Sequence, residues 1–203
     1  MRRIVRIAVC LWCFAGPALG DQFDKYRSAC SATELAKIQE ALAKARELAQ
    51  KAAAALPPKN SVEGQRFRKW FGGPEGDDDP VIRDIYVEIS VMLAFEKVWC
   101  PTPTSGPITD DFTKTNAFVI PKTGREIFFG QPFFLLKPTG PMSSGGTIVH
   151  EVSHQSTKRK IGDDDKIYGP DAQKNRATLG ASRARSTADN FKYFAEDVVY
   201  GVP

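Results

Sequence analysis

His150-Glu151-Val152-Ser153-His154 sets two imidazoles four residues apart with a carboxylate beside the first. On a helix, residues i and i+4 project from one face a turn apart, so both rings can ligate one zinc ion at about 2.0 to 2.1 Å. Glu151 can then reach a water that such a metal activates and take its proton as the water attacks a carbonyl. Thr147, Ile148 and Val149 run into the motif as an apolar helical stretch, and its two variable positions are uncharged. The chain has only two histidines, and both are here. A catalytic zinc takes three protein ligands and leaves one position for water, so the third ligand must be a carboxylate or a thiolate. Sites built on three histidines are excluded. Asp163, Asp164, Asp165, Asp171, Asp189, Glu196 and Asp197 are the downstream carboxylates that could serve.

The elements that position this motif can be read around it. Residues 31–56 are rich in Ala, Leu, Lys, Glu and Gln, and Ser31 with Glu34 has capping-box spacing, which predicts a long opening helix closed by Pro57-Pro58. A shorter helix is expected over 62–71 and a third over 81–94, separated by Gly72-Gly73-Pro74 and the acidic turn Asp77 to Asp79. That turn lacks the alternating oxygen ligands of a calcium loop. The middle of the chain changes to short β-prone runs at 96–99, 117–120 and 126–129, which predict a small, mainly antiparallel sheet. The loop 138–146 leads into the motif's helix, expected to start near Thr147, and a last helix is expected around 186–199.

These residues resemble the aspzincin family, which includes deuterolysin and the fungal peptidyl-Lys metalloendopeptidases. The family signature is H-E-x-x-H, then Gly-Thr-x-Asp, then Tyr-Gly, and Gly162-Asp163-Asp164-Asp165-Lys166-Ile167-Tyr168-Gly169 is similar to that segment. Registering Tyr168-Gly169 on Tyr-Gly puts the third ligand at Asp165, with Asp163 in place of the family's threonine. The likeness extends to 68–72, 116–121, 126–129, 146–149, Ala188-Asp189-Asn190 and Tyr193-Phe194-Ala195-Glu196. It implies a single α+β zincin-like domain, one Zn²⁺ per chain on His150, His154 and Asp165, Glu151 as general base, and Tyr168 as oxyanion donor. It also implies an extended substrate laid along the strand Ile127, Phe128 and Phe129. In the lysine-specific members an Asp and a Glu three residues apart line the specificity pocket. Asp189 matches the first, but Lys192 stands at the second, and its charge argues against strict lysine specificity.

The expected activity is hydrolysis of peptide bonds in a protein or peptide substrate. An exported zincin-fold binding module, whose role needs no catalysis, is the alternative from another class. Residues 1–20 read as a secretory signal: basic Arg2, Arg3 and Arg6, an apolar run over 7–16, and the small-residue site Ala18-Leu19-Gly20. The domain then occupies residues 21–203, secreted, with no membrane span after signal removal and with a monomer as the expected state. Without the three leader arginines the formal charge of +4 falls to about +1, which leaves no electrostatic footprint for nucleic acid. Two of the four cysteines also lie in the leader. Cys30 and Cys100 remain, and an oxidising compartment makes them a disulfide pair.

Overall fold

Ser31 accepts a hydrogen bond from the Glu34 amide, and the Glu34 carboxylate accepts one from the Ser31 amide at 2.8 Å, so the capping box starts α1 (Ala32–Ala54) as the spacing predicts. The computed structural model describes residues 26–58, 61–73, 79–94, 96–101, 113–120, 125–163 and 180–201. The inward face of α1 is Ile38, Ala41, Ala45, Leu48, Ala49 and Ala52, all buried and at helical spacing. Its small side chains let another helix come close. A Cβ at Gly145, near the start of the motif's helix, would lie 2.9 Å from Lys44 Cβ and 3.2 Å from the Ala45 amide nitrogen.

Two further helices, α2 (Ser61–Phe71) and α3 (Pro80–Met92), complete the N-terminal part. Asp79 caps α3 by accepting from the Val81 amide at 3.1 Å, and its other oxygen accepts from Arg159 at 2.7 Å. The last residue of the acidic turn is therefore a helix cap; Asp77 and Asp78 lie outside the described residues.

Strands β1 (Lys97–Trp99), β2 (Ala117–Val119) and β3 (Glu126–Phe129) form a mixed sheet in the order β1-β3-β2, with β1 parallel and β2 antiparallel to β3. This corrects one expectation. Ile127, Phe128 and Phe129 are buried in the central strand, the first two paired with both β1 and β2 and Phe129 with β2, so this strand is not the edge that receives an extended peptide. The physical sign was in the run itself: four residues without alternation suit a strand covered on both faces, not a half-exposed edge. Phe128 stacks on Phe118 at 4.9 Å and Phe129 packs on Phe133 at 4.4 Å. Among the described residues, the edge strand nearer the motif is β2.

A 3₁₀ turn at Gln131–Leu135, which the β-prone reading of this region did not anticipate, leads to α4 (Ser144–Ser153), the motif's helix. It starts three residues before Thr147. After it come α5 (Ala181–Ala184) and α6 (Ala188–Tyr200). Helix α4 is buried along its length between α1, α3, α6 and β2. Helix α6 is tied to the N-terminal helices by Trp70 Nε1 donating to Asp197 at 2.8 Å and Tyr86 Oη donating to the Phe191 carbonyl at 2.6 Å. Cys30 and Cys100 form the expected disulfide, joining the segment before α1 to the end of β1. No helix among the described residues is long and apolar enough to cross a membrane.

Candidate active site

The site is built from the start of α4 upward. Ser143 caps the helix by accepting from the Gly146 amide at 2.9 Å. Glu196, reaching across from α6, accepts from the Ser143 amide at 2.9 Å, the Ser143 hydroxyl at 2.8 Å and the Met142 amide at 3.0 Å. A carboxylate at a helix N-terminus is favoured by the exposed N–H groups and the helix dipole. Burial pushes the Glu196 carboxyl up, against the pull of these hydrogen bonds and of Lys192. Its grip also holds Met142, a residue at φ +56°, a conformation that a non-glycine side chain rarely adopts unless its surroundings fix it.

At the other end of α4 the two imidazoles converge. His150 Nε2 and His154 Nε2 are 3.3 Å apart, and Asp163 Oδ1 stands 3.1 Å from the first and 3.4 Å from the second. Four ligands at about 2.0 to 2.1 Å in a tetrahedron are separated from one another by roughly 3.3 Å, so these three atoms have the spacing of a zinc ligand set. The opposite nitrogen of each ring faces an acceptor: His150 Nδ1 is 2.9 Å from Asp189 Oδ1, and His154 Nδ1 is 3.2 Å from the Ile161 carbonyl. Protonated Nδ1 atoms leave both Nε2 lone pairs aimed at the shared point, the arrangement by which metal-binding histidines are oriented. Burial alone would lower the His150 ring, but the carboxylates of Asp163 and Asp189 outweigh it and push it up to about 10. Hydrogen bonds to the two rings hold Asp163 well below the usual carboxylate range. This is the charge balance of a pocket that suits a cation, and the two-imidazole, one-carboxylate donor set fits zinc.

Glu151 is buried beside the cluster, with Oε1 4.0 Å from His150 Nε2. Burial pushes its carboxyl up to about 7, against the pull of the two histidines and Lys192 and with a further push from Asp163. Two cavities adjoin it. One runs along β2 past Thr115, Ala117, Phe118 and Val119 to both histidines and Asp163; the other lies on the α6 side and is lined by Asn116, Thr147, Asp189 and Lys192 among others. The amide of Gly130 donates to the Asn116 carbonyl at 2.8 Å. Antiparallel alternation then aims the backbone groups of Ala117 and Val119 away from β3.

Among the candidate carboxylates, three have other duties: Asp189 orients His150, Glu196 holds the start of α4, and Asp197 bonds Trp70 and pairs with Lys69 at 3.2 Å. Asp165, the expected third ligand, lies outside the described residues with Asp164, Tyr168 and Asp171. The carboxylate beside the imidazoles among the described residues is that of Asp163. Asp189 does line a cavity, as expected of a pocket residue, but its Oδ1 is taken by His150. Sequence reasoning missed the roles of Glu196 and β2. The spacing of Glu196 gives no sign of its partner, and Ala117-Phe118-Val119 is apolar at every position, so the alternating burial of β2 shows only in the structure.

Residues 58–196 match a family model described as lysine-specific metallo-endopeptidase, the aspzincin family. An extracellular protease of Aeromonas hydrophila is 29% identical over 171 residues, covering 83% of this chain and 46% of that protein. A peptidyl-Lys metalloendopeptidase of Grifola frondosa is 29% identical over 169 residues, covering 83% and 45%, and one of Pleurotus ostreatus is 28% identical over 169 residues, covering 83% and 94%. The chain thus spans about half the length of the first two relatives. The solved structure of a zinc peptidase from Grifola frondosa superposes with a TM-score of 0.69 at 24% identity, over 84% of this chain and 99% of that one, which shows a common fold.

Proposed function

The chain belongs to the aspzincin family, and from that premise we propose that it is a zinc endopeptidase acting on exported or extracellular protein. The observation that carries the reading is the convergence of two imidazole Nε2 atoms and one carboxylate oxygen at tetrahedral ligand spacing, with a buried glutamate alongside. His150, His154 and an aspartate of the 163–165 run would hold the metal; geometry designates Asp163 and the motif register designates Asp165. A zinc ion held there supplies Lewis acidity to a water molecule and to the substrate carbonyl.

The rest of the chemistry falls to the chain's own groups. Glu151, raised towards neutrality by burial, accepts a proton from the attacking water and returns it to the leaving amine. Tyr168 is proposed to donate its phenol hydrogen to the developing oxyanion. An extended substrate is proposed to pair with the outward backbone groups of Ala117 and Val119 on β2, by strand addition. Lys192 in the α6-side cavity opposes a substrate lysine, so strict lysine preference is not expected. Secretion through the 1–20 leader agrees with the disulfide, and N-terminal sequencing of exported protein should begin near Asp21.

The test is cleavage of a mixed peptide library by the zinc-loaded chain and two variants. Glu151→Gln should keep zinc and lose about 10² to 10⁴-fold in turnover. Tyr168→Phe should lower kcat more than it raises KM. Undiminished cleavage by Glu151→Gln would show that another group is the base.

A further inference from the structure

Lys192 is a buried cation with no ion pair to a carboxylate among the described residues. It sits on α6 one turn after Asp189 and is only 8% exposed. Among the described residues no carboxylate comes within ion-pair distance of its Nζ; the contact found is with the face of the Tyr193 ring, 5.0 Å from the centroid. Near it lie Asp189, whose Oδ1 faces His150; Glu196, whose two oxygens accept from the Ser143 and Met142 amides; and Glu151, which lines the same cavity and feels the Lys192 charge without a direct ion pair. Burying an ammonium group without a paired anion is unfavourable, so such a group is rarely kept without a use.

Its surroundings are shaped to hold it at the cleft. The stem passes the start of α4, where a Cβ at Gly146 would come within 3.2 Å of Lys192 Cγ and would collide with the Glu196 carboxylate. Lys192 then forms a wall of the small cavity, about 60 Å³, that it shares with Asn116, Thr147, His150, Glu151 and Asp189. Glu151 is itself one of the lining residues, so a side chain that entered would lie beside the proposed base.

We propose that Lys192 makes this cavity a receptor for a substrate carboxylate on the residue flanking the scissile bond. The inference rests on the endopeptidase reading and deepens it. An aspartate or glutamate side chain brings the missing anion; a lysine side chain brings a second cation to a desolvated one. The same chemistry could come from a free chain terminus next to the bond. The competing use is internal: the Lys192 charge draws the Glu151 and Glu196 carboxyls down, and a residue with only that duty would affect all substrates alike.

The experiment compares kcat/KM of the zinc-loaded full chain on matched peptides with Glu, Ala or Lys flanking the cleaved bond on either side, each made as free acid and as amide. Binding of the same peptides to zinc-loaded Glu151→Gln is measured by fluorescence anisotropy. Wild type should prefer the Glu peptide over the Lys peptide by about tenfold or more in both readouts. In Lys192→Gln the Glu-to-Ala ratio should fall towards one, and in Lys192→Glu the order of Glu and Lys should invert. Preference that vanishes in amides assigns the carboxylate to a chain terminus and keeps Lys192 as its receptor. Equal cleavage of Glu, Ala and Lys peptides by wild type overturns the inference even if no variant folds, as does a ratio unchanged in Lys192→Gln. Failure of wild type to cut any peptide overturns the endopeptidase reading itself, and this inference with it.

Discussion

Asp189 shows how much at this site depends on a group that does not touch the reacting atoms. Its carboxylate receives the Nδ1 hydrogen of His150, fixing the tautomer and the direction of the lone pair that faces the metal position. Asp189→Ala should therefore weaken zinc binding by about 10 to 100-fold, read by chelator competition, while the fold persists. A loss of zinc affinity below about twofold would reduce Asp189 to a pocket-wall residue. At this scale the sequence was legible where spacing alone determines geometry. H-E-x-x-H on a helix brings two imidazoles together whatever surrounds it. For the third ligand, three consecutive aspartates offer three registers; tertiary placement brings Asp163 Oδ1 beside both rings, and Asp165, the expected ligand, lies outside the described residues.

Among the elements, α4 matters most, and both its ends are held by distant carboxylates. Glu196 holds the start. Beyond the end, Glu88 of α3 accepts from the Ser156 hydroxyl at 2.6 Å, the Thr157 amide at 3.1 Å and the Thr157 hydroxyl at 2.6 Å. Burial alone would raise the Glu88 carboxyl, but these hydrogen bonds outweigh it and lower it. A carboxyl lowered in the folded chain adds stability that is present above its unfolded value near 4.5 and is lost as pH falls through the folded value. Melting temperature measured from pH 6 to pH 3 should therefore fall less steeply in Glu88→Gln than in wild type; parallel curves would remove Glu88 from the acid response. Helix positions were legible to within a few residues, since caps such as Ser31 with Glu34 and breakers such as Pro57 act locally. Strand order was not. Whether 126–129 lies at the centre or the edge depends on which strands pair with it, and that information is spread from Lys97 to Phe129.

Across the whole molecule, the disulfide and the helix packing set the frame in which the cleft opens. The Cys30–Cys100 bridge spans 70 residues of sequence and encloses α1, α2, α3 and β1. Constraining a loop of that length in the unfolded chain is worth about 4.4 kcal/mol in the chain-entropy model. The double variant Cys30→Ala/Cys100→Ala should lose that much in denaturant unfolding, and a loss below about 1 kcal/mol would show that the N-terminal helices hold together without it. The α+β class was legible because helical and strand-like patterns occupy separate stretches of the chain. The buried ties between them, such as Trp70 to Asp197 and Tyr86 to the Phe191 carbonyl, join residues more than 100 positions apart, and no local pattern announces them.

The central claim is that this chain hydrolyses peptide bonds with one zinc ion on His150, His154 and an aspartate of the 163–165 run. Zinc content by elemental analysis, measured together with peptide cleavage on wild type, Asp163→Ala, Asp165→Ala and Glu151→Gln, tests it most directly. The prediction is one zinc per wild-type chain, a loss in whichever aspartate variant removes the ligand, and full zinc with cleavage lowered about 10² to 10⁴-fold in Glu151→Gln. Folded wild type without zinc in zinc-supplied medium, or both aspartate variants binding and cleaving as wild type does, would contradict it.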